Sequence, residues 1–304
     1  MRKERVLSYI FLYMAGAAIA LVAAEIVFRL LGWGFGNAPM ESDPVLHHRH
    51  PRNYSFLVHD PNGEFGGHRV HYDSRGLVTR PGAASSGEKE TNCESRIALM
   101  GDSCVEATQV AFGKSFFGRM VRSARPGVCV WNYGVSSYSP AIYLLQWKTV
   151  IRQDHPTHVF LLLHSNDIRD DAWYSQRGTY SADGELTAVP GLGRDTWKIW
   201  FRRSYVVRVV RMAYLKTAWA ISHAQRRTHT QRGGFDESAG LTPKTAEYLQ
   251  GLAREVRDSG AEFILMAVPP KAGSQGESAG EEGGSFYEKA REWAQKKRYP
   301  VDRS

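Results

Sequence analysis

The chain has 304 residues, 42% hydrophobic and 23% charged, with a formal net charge of +8. That length and composition exclude a disordered or collagen-like chain and allow one sizeable α/β core with a small accessory piece. The charge excess does not describe a nucleic-acid binder: ten Lys or Arg against the single acid Asp195 fall between Arg194 and Arg232, leaving the remainder near neutrality, so the basic character belongs to one segment.

The first predicted element is a membrane helix. No residue from Val6 to Ala24 is charged, and such a run, at ~1.5 Å per residue, spans about 28 Å, close to the ~30 Å hydrocarbon thickness. The competing reading is a signal peptide cleaved near Ala23 and Ala24, whose apolar core would normally be shorter. Arg2, Lys3 and Arg5 precede the run against Glu4 alone. The amino end is therefore expected to stay cytoplasmic and the rest to cross the membrane, periplasmic in a Gram-negative cell. Residues 1–32 form this tip and anchor.

Residues 33–92 read as a connector and lead-in, rich in His, Pro and Gly up to about Thr79, then small and polar from Arg80 to Asn92. The tract "HHRH" (47–50) lacks the spacing of a recognised metal site, so no metal is expected there. Three cysteines, Cys93, Cys104 and Cys129, suit a compartment where disulfides form. Cys93 with Cys129 is a candidate bridge; the alternative is three unpaired small hydrophobes.

From residue 93 onward the pattern is regular. "RIALM" (96–100), "VCVWNYG" (128–134), "HVFLLL" (158–163) and "EFILMAV" (262–268) are short apolar runs of the kind buried parallel strands show. Helices are predicted at Ser115–Ala124, at 141–153, and at 242–260, the last with a threonine cap, proline at its first turn and glycine at its close. A further helix is predicted over Ser285–Lys297, before "RYPVDRS" breaks off at what reads as the start of another unit. Alternating strands and helices argue for an α/β domain over 93–304 with a parallel sheet covered on both faces. The basic segment, about 194–232, reads as a helical insertion, with anionic lipid or an acidic glycan as expected contacts and a solvated helix face as the alternative.

In open α/β sheets, sites form at the carboxyl ends of strands. Ser103 follows the first run by two residues past Gly101, Gly134 closes the second and Asn166 follows the third, at intervals of 31 and 32 residues. Adjacent parallel strands would bring all three to one sheet edge. A serine hydroxyl attacking an ester carbonyl creates an oxyanion that fixed donors stabilise by several kcal/mol. The N–H groups of Ser103 and Gly134 and the Asn166 amide are the expected donors. Taken singly, Gly134 reads as a turn glycine, Asn166 as a helix cap and Ser103 as a cap or phosphate ligand.

These residues resemble a known family. "GDSCVEA" is similar to the first block of the SGNH (GDSL-type) hydrolases, "NYGVSSYSP" to the second-block glycine context and "HSND" to the third. "VHYDSRGLVTR" resembles the lead-in of membrane-anchored bacterial members. The resemblance covers about residues 68–304. It implies a three-layer α/β/α sandwich with a flavodoxin-like parallel sheet, behind one N-terminal transmembrane helix. It also implies Ser103 as nucleophile, Gly134 and Asn166 as oxyanion donors, and no cofactor. Ser165 stands where the family usually has glycine, Cys104 replaces a commonly larger neighbour, and Glu106 matches a frequent acid of unclear role.

The family's base comes from an Asp-x-x-His element near the carboxyl terminus, and this sequence contains none: its last histidine is His229, and only two residues follow Asp302. Three readings follow. The sequence is a truncated or frameshifted form of a longer enzyme; or an upstream pair, His71 with Asp73 or His59 with Asp60, supplies the base; or the domain is inactive and binds acylated glycans. His164, beside Asn166, reads as structural. The expected activity is a serine esterase acting on ester-linked acyl groups, such as O-acetyl groups of cell-envelope glycans, or on a small ester, with a glycan O-acyltransferase or a glycan-binding assembly protein as alternatives.

Overall fold

The computed structural model describes residues 2–33, 40–59, 66–82, 93–191, 201, 203–226, 241–267 and 290–295. Two compact units are present, one made of residues 1–39, 56–69 and 195–232, the other of 40–55, 70–194 and 233–304.

In the smaller unit, α1 (Arg2–Leu31) contains one stretch, Arg5–Leu31, long and apolar enough to cross a membrane. The basic segment forms α6 (Tyr205–Arg226). Glu25, near the end of α1, accepts hydrogen bonds from the Tyr205 and Val206 N–H groups at 3.0 and 2.9 Å and from the Ser204 hydroxyl at 2.8 Å. A carboxylate there satisfies the otherwise unpaired N–H groups of a helix start and favours the positive end of its dipole.

The larger unit is built on a mostly parallel sheet. β6 (Ser95–Gly101), β7 (Val128–Asn132), β8 (His158–Leu163) and β11 (Glu262–Ala267) lie in the order β11-β8-β6-β7. Every pair in that run is parallel, with Leu99 opposite Asn132 and Gly101 opposite Leu162. In chain order this is the 2-1-3-4 arrangement of flavodoxin-like sheets. Beyond β7 the sheet continues antiparallel through β5 (Val78–Thr79) and the Val70–Tyr72 end of β4 (Gly66–Tyr72).

Strand alternation separates two cores. Ala98, Met100, Val159, Leu161, Leu163, Phe263 and Leu265 face one side and pack with α4 (Pro140–Thr149) and α7 (Pro243–Asp258). Ile97, Leu99, Val130, Phe160 and Leu162 face the other and pack with α2 (Ser103–Glu106) and α3 (Phe116–Ser123). This is the three-layer α/β/α sandwich. Helix α4 is apolar nearly all round because it is buried nearly all round, Ile142, Tyr143 and Trp147 being fully inaccessible. Residues 290–295 are helical and place Ala290 and Ala294 in the same core.

The helix ends follow the sequence closely. The Ser115 side chain accepts from Gly118 N–H at the start of α3, and the Thr242 side chain accepts from Thr245 N–H at the start of α7. Asp171, on α5 (Asn166–Ser175), serves two helix starts at once: its carboxyl accepts from Ala141 N–H at 2.7 Å and from the Ser139 and Thr245 hydroxyls at 3.0 and 2.7 Å. Burial raises its pKa to about 6, against these hydrogen bonds, which lower it.

Two sequence boundaries shift. The predicted helix 141–153 ends at Thr149 and continues as a 3₁₀ turn over Ile151–Asp154. The connector contains β1 (Glu41–Asp43), β2 (His47–Arg49), β3 (Tyr54–His59), β4 and β5, and residues 40–55 and 70–82 belong to the larger unit. The α/β unit thus draws in chain well before residue 93. Cys93 and Cys129 are joined by a disulfide with Cα atoms 5.7 Å apart, and Cys104 is free. The polar loop 83–92, much of the predicted 285–297 helix and "RYPVDRS" lie outside the described residues.

Candidate active site

The chain leaves β6 through Gly101, where a Cβ would meet Val105 Cγ2 at 2.3 Å and the Leu162 carbonyl at 2.9 Å. Only glycine lets the turn pass this closely to β8. Asp102, 1% exposed, caps the single turn of α2 by accepting from Cys104 N–H at 2.9 Å. Ser103 opens that turn and is half-buried, and neither its hydroxyl nor its N–H has a hydrogen-bond partner among the described residues. Next to it the Cys104 thiol is pushed up to about 12 by burial, with the Asp102 charge adding to the shift. A thiol held neutral is no rival nucleophile at ordinary pH.

The tips of β6 and β8 meet. Asn166 Nδ2 donates to Asp102 Oδ2 at 3.2 Å, and Asn166 Oδ1 contacts His164 Nδ1. A carboxylate only accepts, so the amide nitrogen must face Asp102 and the amide oxygen His164. The Asn166 N–H also lies 3.3 Å from His164 Nδ1, so that ring nitrogen faces both an acceptor and a donor, while Nε2 has no partner among the described residues. His164 stands two residues past Leu162, as Ser103 stands two past Gly101, its partner in register. Asp167, fully buried beneath, accepts from His164 N–H at 3.0 Å. Burial and then the Asp102 charge raise its pKa well above the ordinary range.

The third tip behaves differently from the sequence expectation. Gly134 does sit against the serine turn: a Cβ there would lie 2.4 Å from Glu106 N and 2.7 Å from the Val105 carbonyl carbon. Its N–H, however, donates to Asn132 Oδ1 at 2.9 Å. Gly134 is thus a packing glycine whose N–H is already engaged, a short local bond of the kind Asn makes two residues ahead. Further along the same loop, exposed Ser137 adopts φ 66°, and its N–H has no partner among the described residues.

Glu106 holds that loop. Its carboxylate, 0% exposed, accepts from Ser136 N–H at 3.0 Å and Ser136 Oγ at 2.5 Å on one oxygen. On the other it accepts from Tyr72 OH at 2.8 Å and lies 3.1 Å from His50 Nε2. Burial works to raise this carboxyl, but His50, Ser136 and Tyr72 outweigh it and hold the pKa below the usual range. His50 Nδ1 donates to the Gly76 carbonyl at 2.9 Å. His48 Nε2 donates to the Ser136 carbonyl at 2.8 Å, its ring kept neutral by burial, which lowers its pKa to about 4. His48 is therefore wedged against the loop after β7, and His50 against Glu106.

The upstream base candidates fare poorly. Alternation puts His71 on the opposite face of β4 from Tyr72, whose hydroxyl reaches Glu106. Asp73 is occupied by the Arg75 and Leu77 N–H groups at 2.8 and 2.9 Å. Asp60 lies outside the described residues. A cleft of about 510 Å³ between α4 and α7, lined by Lys148, Glu185, Tyr248 and Arg254 among others, contains none of the strand-tip residues.

Strand order places these tips at a switch point of the sheet. The chain leaves β6 toward β7 across the α3 face, and leaves β8 toward β11 across the α7 face. Between β6 and β8 the connections diverge, which is the switch point where open α/β sheets bind ligands.

No protein-family model and no curated protein matches the chain. Among solved structures, the chain is similar to a catalytic mutant of an acetylxylan esterase from Geobacillus stearothermophilus. The identity is 12% and the TM-score 0.38, over 69% of this chain and 76% of that one. It is also similar to a GDSL-like lipase from Bacteroides thetaiotaomicron at 12% identity and TM-score 0.34, over 68% and 67%. A lipolytic protein of the G-D-S-L family from Desulfitobacterium hafniense aligns at 12% identity and TM-score 0.34, over 68% and 76%.

Proposed function

We propose that the chain is a membrane-anchored serine acyl-ester hydrolase of the SGNH type, its α/β unit extracytoplasmic. The reading is carried by the Asp102–Asn166 hydrogen bond, which ties two strand tips around a serine with an unengaged hydroxyl. Ser103 Oγ attacks the ester carbonyl, its proton passing to His164 Nε2, whose orientation is fixed by Asn166. The Ser103 N–H and the second Asn166 amide hydrogen stabilise the oxyanion, and the loop N–H of Ser137 replaces that of Gly134 in this role. The alcohol leaves with the proton from His164, and water releases the acyl group from Ser103 by the reverse sequence. The substrate is an ester-linked acyl group on a cell-envelope glycan or a small ester, and water is the acceptor.

The test is a fluorophosphonate probe on the full chain in detergent. Expected is one covalent adduct, located at Ser103 by peptide mass, absent in Ser103→Ala and slowed at least about 100-fold in His164→Gln. Labelling that persists in Ser103→Ala overturns the nucleophile. Unchanged labelling in His164→Gln overturns the base. No adduct on folded wild-type protein favours the glycan-binding reading. Acetyl release accelerated by an added glycan acceptor, with acetyl found on that glycan, would make the chain a transferase.

A further inference from the structure

Helix α6 has features that the ester chemistry does not use. Along it stand Arg208, Arg211, Lys216 and Arg226, with no Asp or Glu. Val206, Val209, Val210, Ala213, Tyr214 and Thr217 recur at the i, i+3, i+4 spacing of a single helix face. From Val210 onward this stripe is not covered: Val210 is 63% and Tyr214 70% exposed, Ala213 and Thr217 are exposed as well, and only Val206 and Val209 are half-buried. Arg211 and Lys216, both exposed, lie roughly 90–130° to either side of the stripe at ~100° per residue, the flanking positions from which long basic side chains reach headgroups. Leu215 falls outside the stripe.

The start of α6 is also fixed in depth. Glu25, which binds the Tyr205 and Val206 N–H groups, precedes the end of α1 at Leu31 by six residues, about 9 Å at ~1.5 Å rise. Arg29 adds a second tie, its guanidinium carbon lying 5.2 Å from the Tyr205 ring centre. A helix tethered within one to two turns of the end of a spanning helix starts at headgroup level.

We propose that α6 is an interfacial helix lying on the bilayer that α1 spans, with the Val210, Ala213 and Tyr214 face at the acyl boundary and Arg211 and Lys216 on anionic lipid phosphates. The proposal rests on α1 being a membrane span. It commits to lipid because an uncovered apolar stripe between unpaired-sign charges, pinned beside an apolar helix, matches an anionic headgroup layer on both counts.

The experiment places nitroxide labels on the full chain, in a Cys104→Ser background, at Ile19→Cys on α1 and Val210→Cys on α6. The protein is reconstituted in nanodiscs of phosphatidylcholine alone or mixed with phosphatidylglycerol. Both labels are expected to favour collisions with oxygen over an aqueous nickel reagent in the anionic discs. Adding Arg211→Glu and Lys216→Glu is expected to shift the Val210 label toward the aqueous reagent by about tenfold, with Ile19 unchanged. A Val210 label open to water in both lipids, with Ile19 in hydrocarbon, overturns the α6 proposal and leaves the anchor standing. Aqueous exposure at Ile19 overturns both. A Val210 label shielded from both reagents, with spin–spin coupling between chains, means a second copy covers the stripe and also refutes lipid contact.

Discussion

Replacing Glu106 by Gln keeps the shape of the side chain and removes its charge, which isolates what the buried carboxylate does. Three donors converge on it, Tyr72 OH, Ser136 N–H and Ser136 Oγ, with His50 Nε2 3.1 Å away. A glutamine offers one oxygen in place of two, so its amide nitrogen must stand where an oxygen met two of these groups. Two hydrogen bonds to a charged acceptor at ~1.5–3 kcal/mol each put the cost at about 3–6 kcal/mol, in line with ~3–5 kcal/mol for breaking a buried ionic contact. At ~2–4 °C per kcal/mol for a domain of this size, the melting temperature in detergent falls by roughly 6–24 °C. Tyr72→Phe made in both backgrounds supplies the control, since the two changes touch the same oxygen and must be non-additive. Because the folded carboxyl is held below its unfolded value, its contribution is present above about pH 4.5 and is lost as the pH falls through the depressed value. A Gln variant within about 0.5 kcal/mol of wild type at neutral pH, or strict additivity with Tyr72→Phe, would refute the clamp.

Asp171 predicts the opposite trend. Its carboxyl titrates near 6 when folded against 3.8 unfolded, so the folded state binds the extra proton and stability declines as the pH rises from about 4 to 6, by ~3 kcal/mol in all; pH-dependent melts of Asp171→Asn should be flatter across that window. Gly134→Ala drives a Cβ into the backbone of α2 and is expected to cost more than about 2 kcal/mol and most of the labelling rate at Ser103, both read from one melt-and-label series. Reducing the Cys93–Cys129 disulfide, whose cysteines are 36 residues apart, removes about 4 kcal/mol by the loop-entropy relation. It acts at the strand starts, so labelling of the still-folded protein below the new melting point should be unchanged.

What the sequence revealed and what it concealed follow from how local each signal is. The four parallel strands announce themselves because burial on both faces demands unbroken apolar runs, and Thr242, Pro243 and Gly260 mark the limits of α7 by backbone chemistry alone. β1 to β5 were invisible because each is short, and "GGHRVHY" earns its place only through partners elsewhere in the chain. The convergence of tips at Ser103, Gly134 and Asn166 was legible from spacing, but spacing says nothing about which N–H is still free. The signal for Gly134 was present in Asn132, two positions earlier, where an Asn side chain competes for such a local donor. Ser137 gave none, since a serine at positive φ looks like any other loop serine. Glu106 stood in plain view, yet its partners come from residues 50, 72 and 136, a meeting that only tertiary structure arranges.

The parting of connections between β6 and β8 has an evolutionary corollary. One side of that point belongs to the stretch of chain leaving β6, which carries Ser103, and the other to the stretch leaving β8. The stretch after β8 is therefore free to change shape without moving Ser103, which Gly101 and Asp102 hold from the β6 side. A lineage carrying this scaffold could vary one margin of the switch point and keep the other constant.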